Sequence, residues 1–219
     1  LSILCTSHLA VALVNWLATL LVKPQPLPRM DFSKGIPPES RTLVAIPTML
    51  TSAQNVEELV EALEVRFLAN RDENLHFSLL TDFRDAPKET IPEDESLLQL
   101  AQKSIEELNK KYSAAKGDRF FLFHRSRLWN PREQVWMGYE RKRGKLAALN
   151  DLLRGGSGDC FSLVIGETAV LRNVKYVITL DTDTQLPRDA AWQFVGAMAH
   201  PLNRAQYDTG LQRVSEGYS

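Results

Sequence analysis

Lys175-Tyr176-Val177-Ile178-Thr179-Leu180-Asp181-Thr182-Asp183-Thr184 reads as a buried strand that runs straight into a pair of acids. Alternate residues of an extended chain share a face, so Asp181 and Asp183 can approach one hard divalent cation together, or divide metal and ribose contacts between them. A solvated turn would give the same pattern, because Asp favours strand ends. What decides is the company this strand keeps. Thr42-Leu43-Val44-Ala45-Ile46 is a short run of strand formers stopped by Pro47, which fits a central strand of a parallel sheet with Pro47-Thr48 at its carboxyl end. Asn55 is placed to cap a helix from Val56, whose Leu59, Val60, Leu63, Phe67 and Leu68 recur at helical spacing. Leu75 to Thr81 is the second strand, ending in Thr81-Asp82-Phe83. An acidic loop over Glu89 to Glu95 precedes another amphipathic helix through Leu97, Leu98, Leu100, Ala101, Ile105 and Leu108, and Phe120-Phe121-Leu122-Phe123 is a third strand. The order βαβαβ predicts an α/β domain with an open, mostly parallel sheet flanked by helices, related to the Rossmann arrangement, with ligands at the carboxyl ends of the strands.

A second cluster, Glu140-Arg141-Lys142-Arg143-Gly144-Lys145-Leu146, places four cations around a glycine before an apolar helical stretch. Gly144 would allow close approach of the backbone to an anion, the helix start would add amide dipoles, and Lys142 or Lys145 would neutralise a diphosphate. A solvated basic helix start is the plain alternative. Asp82 could accept hydrogen bonds from a nucleobase or ribose, with Asp85 less well placed. Trp129 and Trp136 flank a polar loop and could cover a sugar or simply pack.

The 26 basic and 27 acidic residues leave a net charge of −1, which removes the cationic excess expected of a nucleic-acid partner. With 44% hydrophobic and 24% charged residues the chain suits a folded domain. Cys5 and Cys160 lack the spacing of zinc or redox pairs and are expected to be reduced packing residues, consistent with a cytoplasmic compartment. Residues 1–22 are apolar enough to suggest a membrane or interfacial helix, although Ser2, Thr6, Ser7, His8 and Asn15 weaken a spanning role. Residues 23–40, with Pro24, Pro26, Pro28, Pro37 and Pro38, read as an extended linker, 41–205 as the sheet domain, and 206–219 as a polar tail without a core strand. The chain is expected to be a piece of a longer protein.

Three segments together resemble the nucleotide-binding half of a GT-A glycosyltransferase, and more closely the glucosyltransferase domain of cyclic β-1,2-glucan synthases. They are Arg41 to Thr48, Trp136 to Leu146, and Ile178 to Asp189. The resemblance covers nearly the whole chain. It implies UDP-glucose as donor, a Mg2+ or Mn2+ ion, and inverting transfer to a growing β-1,2-glucan acceptor by a parent protein of the bacterial inner membrane, its transferase domain on the cytoplasmic side. It also implies residue roles: Asp82 for the uridine, Lys142 or Lys145 for the diphosphate, Asp181 for ribose or metal, and Asp183 for the metal. Pro47, Thr48 and Gly144 complete the expected nucleotide-sugar contacts. No catalytic base is assigned, since such enzymes carry it well after the Asp-x-Asp motif; the isolated piece is expected to be inactive. Another sugar nucleotide, or a non-catalytic nucleotide-binding or membrane-associated module, would suit the same residues.

Overall fold

The computed structural model describes residues 2–22, 26–112 and 117–217, with side chains from Ser7 onward. Leu1, Lys23 to Gln25, the Cys5 side chain and the last two residues lie outside that description. In chain order the elements are α1 (Ser2–Leu21), β1 (Thr42–Leu50), α2 (Ala53–Ala69), β2 (Leu75–Phe83), α3 (Pro92–Lys111), β3 (Phe120–Arg125), β4 (Leu128–Asn130), β5 (Val135–Met137), α4 (Arg141–Leu153), β6 (Leu163–Ile165), β7 (Tyr176–Thr179), α5 (Ala190–Ala199), β8 (Gln206–Asp208) and β9 (Arg213–Glu216). Two units divide the chain: Arg29–His200, and Leu1–Pro28 with Pro201–Ser219.

The first unit is built on a five-stranded sheet in the order β6-β3-β2-β1-β7. β1, β2, β3 and β7 are parallel, and only β6 runs against its neighbour. The mixed α/β architecture with a mostly parallel central sheet is the one the alternating pattern predicts. The apolar runs of β1, β2 and β3 are continuous because both their faces are covered, whereas β7, expected to be buried, is half-exposed because it forms an edge of the sheet. Val44, Ile46, Phe77, Leu79, Phe120 and Leu122 face α2, α3 and α5, where Leu63, Ile105 and Val195 meet them. Leu43, Ala45, Leu80, Phe121 and Phe123 face the opposite side, against Leu149 of α4 and Leu171.

Several boundaries move, each for a local reason. α2 starts earlier than Val56, because Ser52, not Asn55, is its cap and accepts the Asn55 N–H at 3.1 Å. α3 takes in part of the acidic loop: Pro92 suits its first turn, and Asp94 accepts the Ile91 N–H at 2.9 Å. Pro47 does not stop β1. Leu180 donates its N–H to the Ala45 carbonyl at 3.1 Å, so Pro47, two residues on, turns its nitrogen to the same side, beyond the end of β7, where a missing N–H costs no ladder bond. The tail is not featureless, since β8 and β9 pair as a hairpin. Cys160 is exposed rather than packed.

α1 forms over the apolar amino-terminal stretch, and its side chains from Ser7 onward are exposed. Among the described residues no helix is long and apolar enough to cross a membrane, so the spanning reading finds no support there. Within the other unit, Ile36 is buried and pinned at both backbone groups, its N–H to Asp72 Oδ2 at 2.7 Å and its carbonyl from Asn74 Nδ2 at 2.8 Å.

Candidate functional site

The basic cluster lies within the helix rather than ahead of it. α4 begins at Arg141, so Gly144 is already its fourth residue. Entry into it is unusual, since Glu140 and Arg141 both have left-handed φ, 51° and 45°. Arg125, the last residue of β3, holds that conformation by donating to the carbonyls of Tyr139 at 3.1 Å and Arg141 at 3.3 Å. Two glycines let the segment come close. A Cβ on Gly138 would lie 2.3 Å from Asp82 Oδ2, and one on Gly144 would lie 2.2 Å from the Tyr139 carbonyl and 2.8 Å from an Arg125 nitrogen. Gly144 therefore serves the contact between protein segments, and the anion approach expected of it is not what requires a glycine there.

Asp82 is buried at the end of β2, with both oxygens engaged. Arg125 grips it at 2.9 and 3.1 Å, and Lys145, one helical turn beyond Lys142, reaches it at 3.1 Å. Lys145 also donates to the Thr48 carbonyl near the end of β1. Burial pulls the Lys145 ammonium below its usual range, and the Asp82 charge opposes that shift. One carboxylate thus faces two buried cations, leaving an excess positive charge beneath the carboxyl edge of the sheet. His124 stands beside it, bonded through Nδ1 to Thr81 Oγ1 at 2.9 Å, and burial holds it neutral with a pKa of about 4.

The acids after β7 form a turn, closed by the Thr184 N–H on the Asp181 carbonyl at 3.0 Å and anchored by buried Leu180 and Leu186. Lys142 pairs with Asp181 across half-exposed surface. The Asp183 carboxylate takes neither hydrogen bond nor ion pair among the described residues. Beneath the turn lies Arg66 of α2, only 3% exposed, donating to the carbonyls of Thr182 at 2.8 Å and Thr184 at 2.7 and 3.2 Å. Asn70, just past the carboxyl end of α2, donates to the carbonyls of Leu186 and Pro187 and accepts the Ala191 N–H at 3.0 Å.

The first turn of α4 therefore brings the separate predictions together: Lys145 reaches Thr48 and Asp82, and Lys142 reaches Asp181. Pro47 is buried inside β1, one residue before Thr48. Asp85 stands apart, paired with Arg141 at 2.7 Å, and Trp129 and Trp136 form a cross-strand pair on the β4–β5 hairpin, centroids 5.9 Å apart. A cavity of about 670 Å³ runs along the Gly144, Ala147, Ala148, Asp151 side of α4 and includes none of Lys142, Lys145, Asp181 and Asp183. Of the polar cluster around Asp82, Arg125 lines it and Asp82 and Lys145 do not.

Arg66, Asn70 and Arg125 were not singled out from the sequence. Arg66 and Asn70 fall on the stripe of Leu59, Leu63 and Phe67, and a polar residue on an apolar stripe is the signal that could have found them. As donors for a metal, Asp181 and Asp183 supply two hard carboxylates. No group of three or more His, Cys, Asp or Glu residues that could hold a metal occurs among the described residues. That donor set fits Mg2+ or Mn2+, which commonly take one or two carboxylates and complete their shell with phosphate and water.

No protein-family model matches the chain. The chain is 44% identical over 210 residues to the cyclic beta-(1,2)-glucan synthase NdvB of Rhizobium meliloti (strain 1021), a match that takes in 96% of this chain and 7% of that protein. It thus spans a small part of the length of its relative.

Proposed function

We propose that this chain is the nucleotide-sugar-binding part of a GT-A-type inverting glycosyltransferase, which transfers glucose from UDP-glucose to a growing β-1,2-glucan with the help of Mg2+ or Mn2+. The observation that carries this reading is the single helix start that joins three strand ends: α4 sets Lys145 on Asp82 and Thr48, and Lys142 on Asp181. Ligands of open parallel sheets bind at that edge. The extensive identity to a glucan synthase supports the reaction class.

In this reading Lys142 and Lys145 receive the diphosphate, and the excess cation of the Asp82–Arg125–Lys145 cluster raises the local positive potential there. Asp181 and Asp183 hold the divalent cation, which offsets charge growing on the departing diphosphate. Asp82, whose oxygens are already taken, acts on the nucleotide chiefly by fixing Lys145. Attack by the acceptor hydroxyl on the anomeric carbon, with loss of UDP from the opposite face and of the hydroxyl proton to a general base of the parent protein, inverts the centre without a covalent enzyme intermediate. The parent protein would work at the bacterial inner membrane with this domain on the cytoplasmic side.

Calorimetry with UDP-glucose, with and without Mn2+ or Mg2+, tests the reading. Binding should depend on the cation and be lost in Asp183→Ala, whose side chain has no structural partner to lose. Cation-independent binding, or binding unchanged in that variant, would refute the metal assignment; preference for another sugar nucleotide would refute the donor.

A further inference from the structure

Resting on that reading of the acidic turn, we propose that Arg66 is a positioning residue for the cation: it fixes the backbone that presents Asp183 to the metal. Asp181 is tethered by Lys142, but Asp183 has no side-chain partner among the described residues. Its place depends on the backbone of Thr182 to Thr184, and one buried guanidinium grips that backbone from both sides of Asp183, through the carbonyls of Thr182 and Thr184. The planar fork of an arginine can hold two carbonyls at once, which a lysine ammonium on its flexible stem does less rigidly. Among the described residues the Arg66 guanidinium meets no carboxylate, and its hydrogen bonds all go to backbone oxygens of this turn. With the guanidinium held in the buried floor of the turn, the carbonyls on either side of Asp183 are fixed together.

The test compares Arg66→Met and Arg66→Lys with Leu63→Ala, a truncation one turn earlier on α2 that removes core volume but no hydrogen bond to the turn. Mn2+ is titrated against each protein in saturating UDP and followed by electron paramagnetic resonance; UDP alone is titrated by calorimetry, and thermal unfolding reports the fold. Arg66→Met should weaken Mn2+ binding by about tenfold or more, the usual scale for losing a group that orients a metal ligand, and broaden the Mn2+ spectrum. Arg66→Lys should recover part of the loss, and carries the test by itself if the methionine variant does not fold. Leu63→Ala should melt earlier yet keep Mn2+ affinity within about twofold, and UDP alone should bind every variant alike. Equal loss in Leu63→Ala, or no loss in either Arg66 variant, overturns the proposal. Failure of the unaltered protein to bind Mn2+ with UDP would instead remove the reading on which it rests.

Discussion

Asp82→Asn separates two roles for the same carboxylate. If Asp82 only read a base at an open strand end, its amide would cost affinity and little stability. The structure instead buries it between Arg125 at 2.9 Å and Lys145 at 3.1 Å, each side chain no more than about a tenth exposed. Removing one partner of a buried ion pair leaves its cations uncompensated, at a cost of about 3–5 kcal/mol. In a domain of this size that lowers the melting temperature by on the order of 10 °C. Asp85→Asn is the built-in comparison, since its pair with Arg141 is 31% and 55% exposed and should be worth only about 0–1 kcal/mol. Urea unfolding at neutral pH, read as a change in midpoint at constant slope, measures both. Adding Lys145→Met to Asp82→Asn should return part of the loss, because the two residues share one interaction. A loss below about 1 kcal/mol in Asp82→Asn, or strict additivity in the double variant, would refute the counter-ion account.

Gly144→Ala opposes two effects: helix propensity alone favours alanine by about 1 kcal/mol. The new Cβ would meet the Tyr139 carbonyl at 2.2 Å, so the variant should instead lose about 1–3 kcal/mol in denaturant unfolding. His76 and His124 are both buried neutral with pKa values of about 4, below an unfolded value near 6.5. Their contribution is complete above that unfolded value and is lost as pH falls toward 4, at about 1.4 kcal/mol per pH unit for each histidine. His76→Gln should roughly halve that component of the slope in urea unfolding across this window; an unchanged slope would show that the histidines are not its source.

The central strands were legible because both their faces are buried, which writes them as unbroken apolar runs such as Phe120 to Phe123. β6 and the β4–β5 hairpin were not, since three-residue strands such as Leu163–Ile165 carry no periodicity. Asp181, Asp183, Lys142 and Lys145 stood out by position and spacing. The partners between them did not: that Lys145 would reach Asp82 depends on the left-handed pair Glu140–Arg141, a conformation no propensity announces. The same holds for Gly144, whose neighbour across the gap is Tyr139 on the preceding loop. Arg66 was hidden because its reason for being buried lies well over a hundred residues away, in the carbonyls of Thr182 and Thr184.

Extending the β1–β7 register by two residues beyond Ala45 and Thr179 would set Pro47 opposite Asp181. The proline has no hydrogen to offer there, so zipping of the two chains halts just before the first acid. Asp181 is released from the ladder by an atom that is missing on the neighbouring chain, and the segment after it is free to curl toward α2 and α4. Restoring the hydrogen with Pro47→Ala would let β7 lengthen at the expense of the turn, visible as amide protection at position 47 and at Thr182, whose N–H falls on the same side of β7 as that of Leu180.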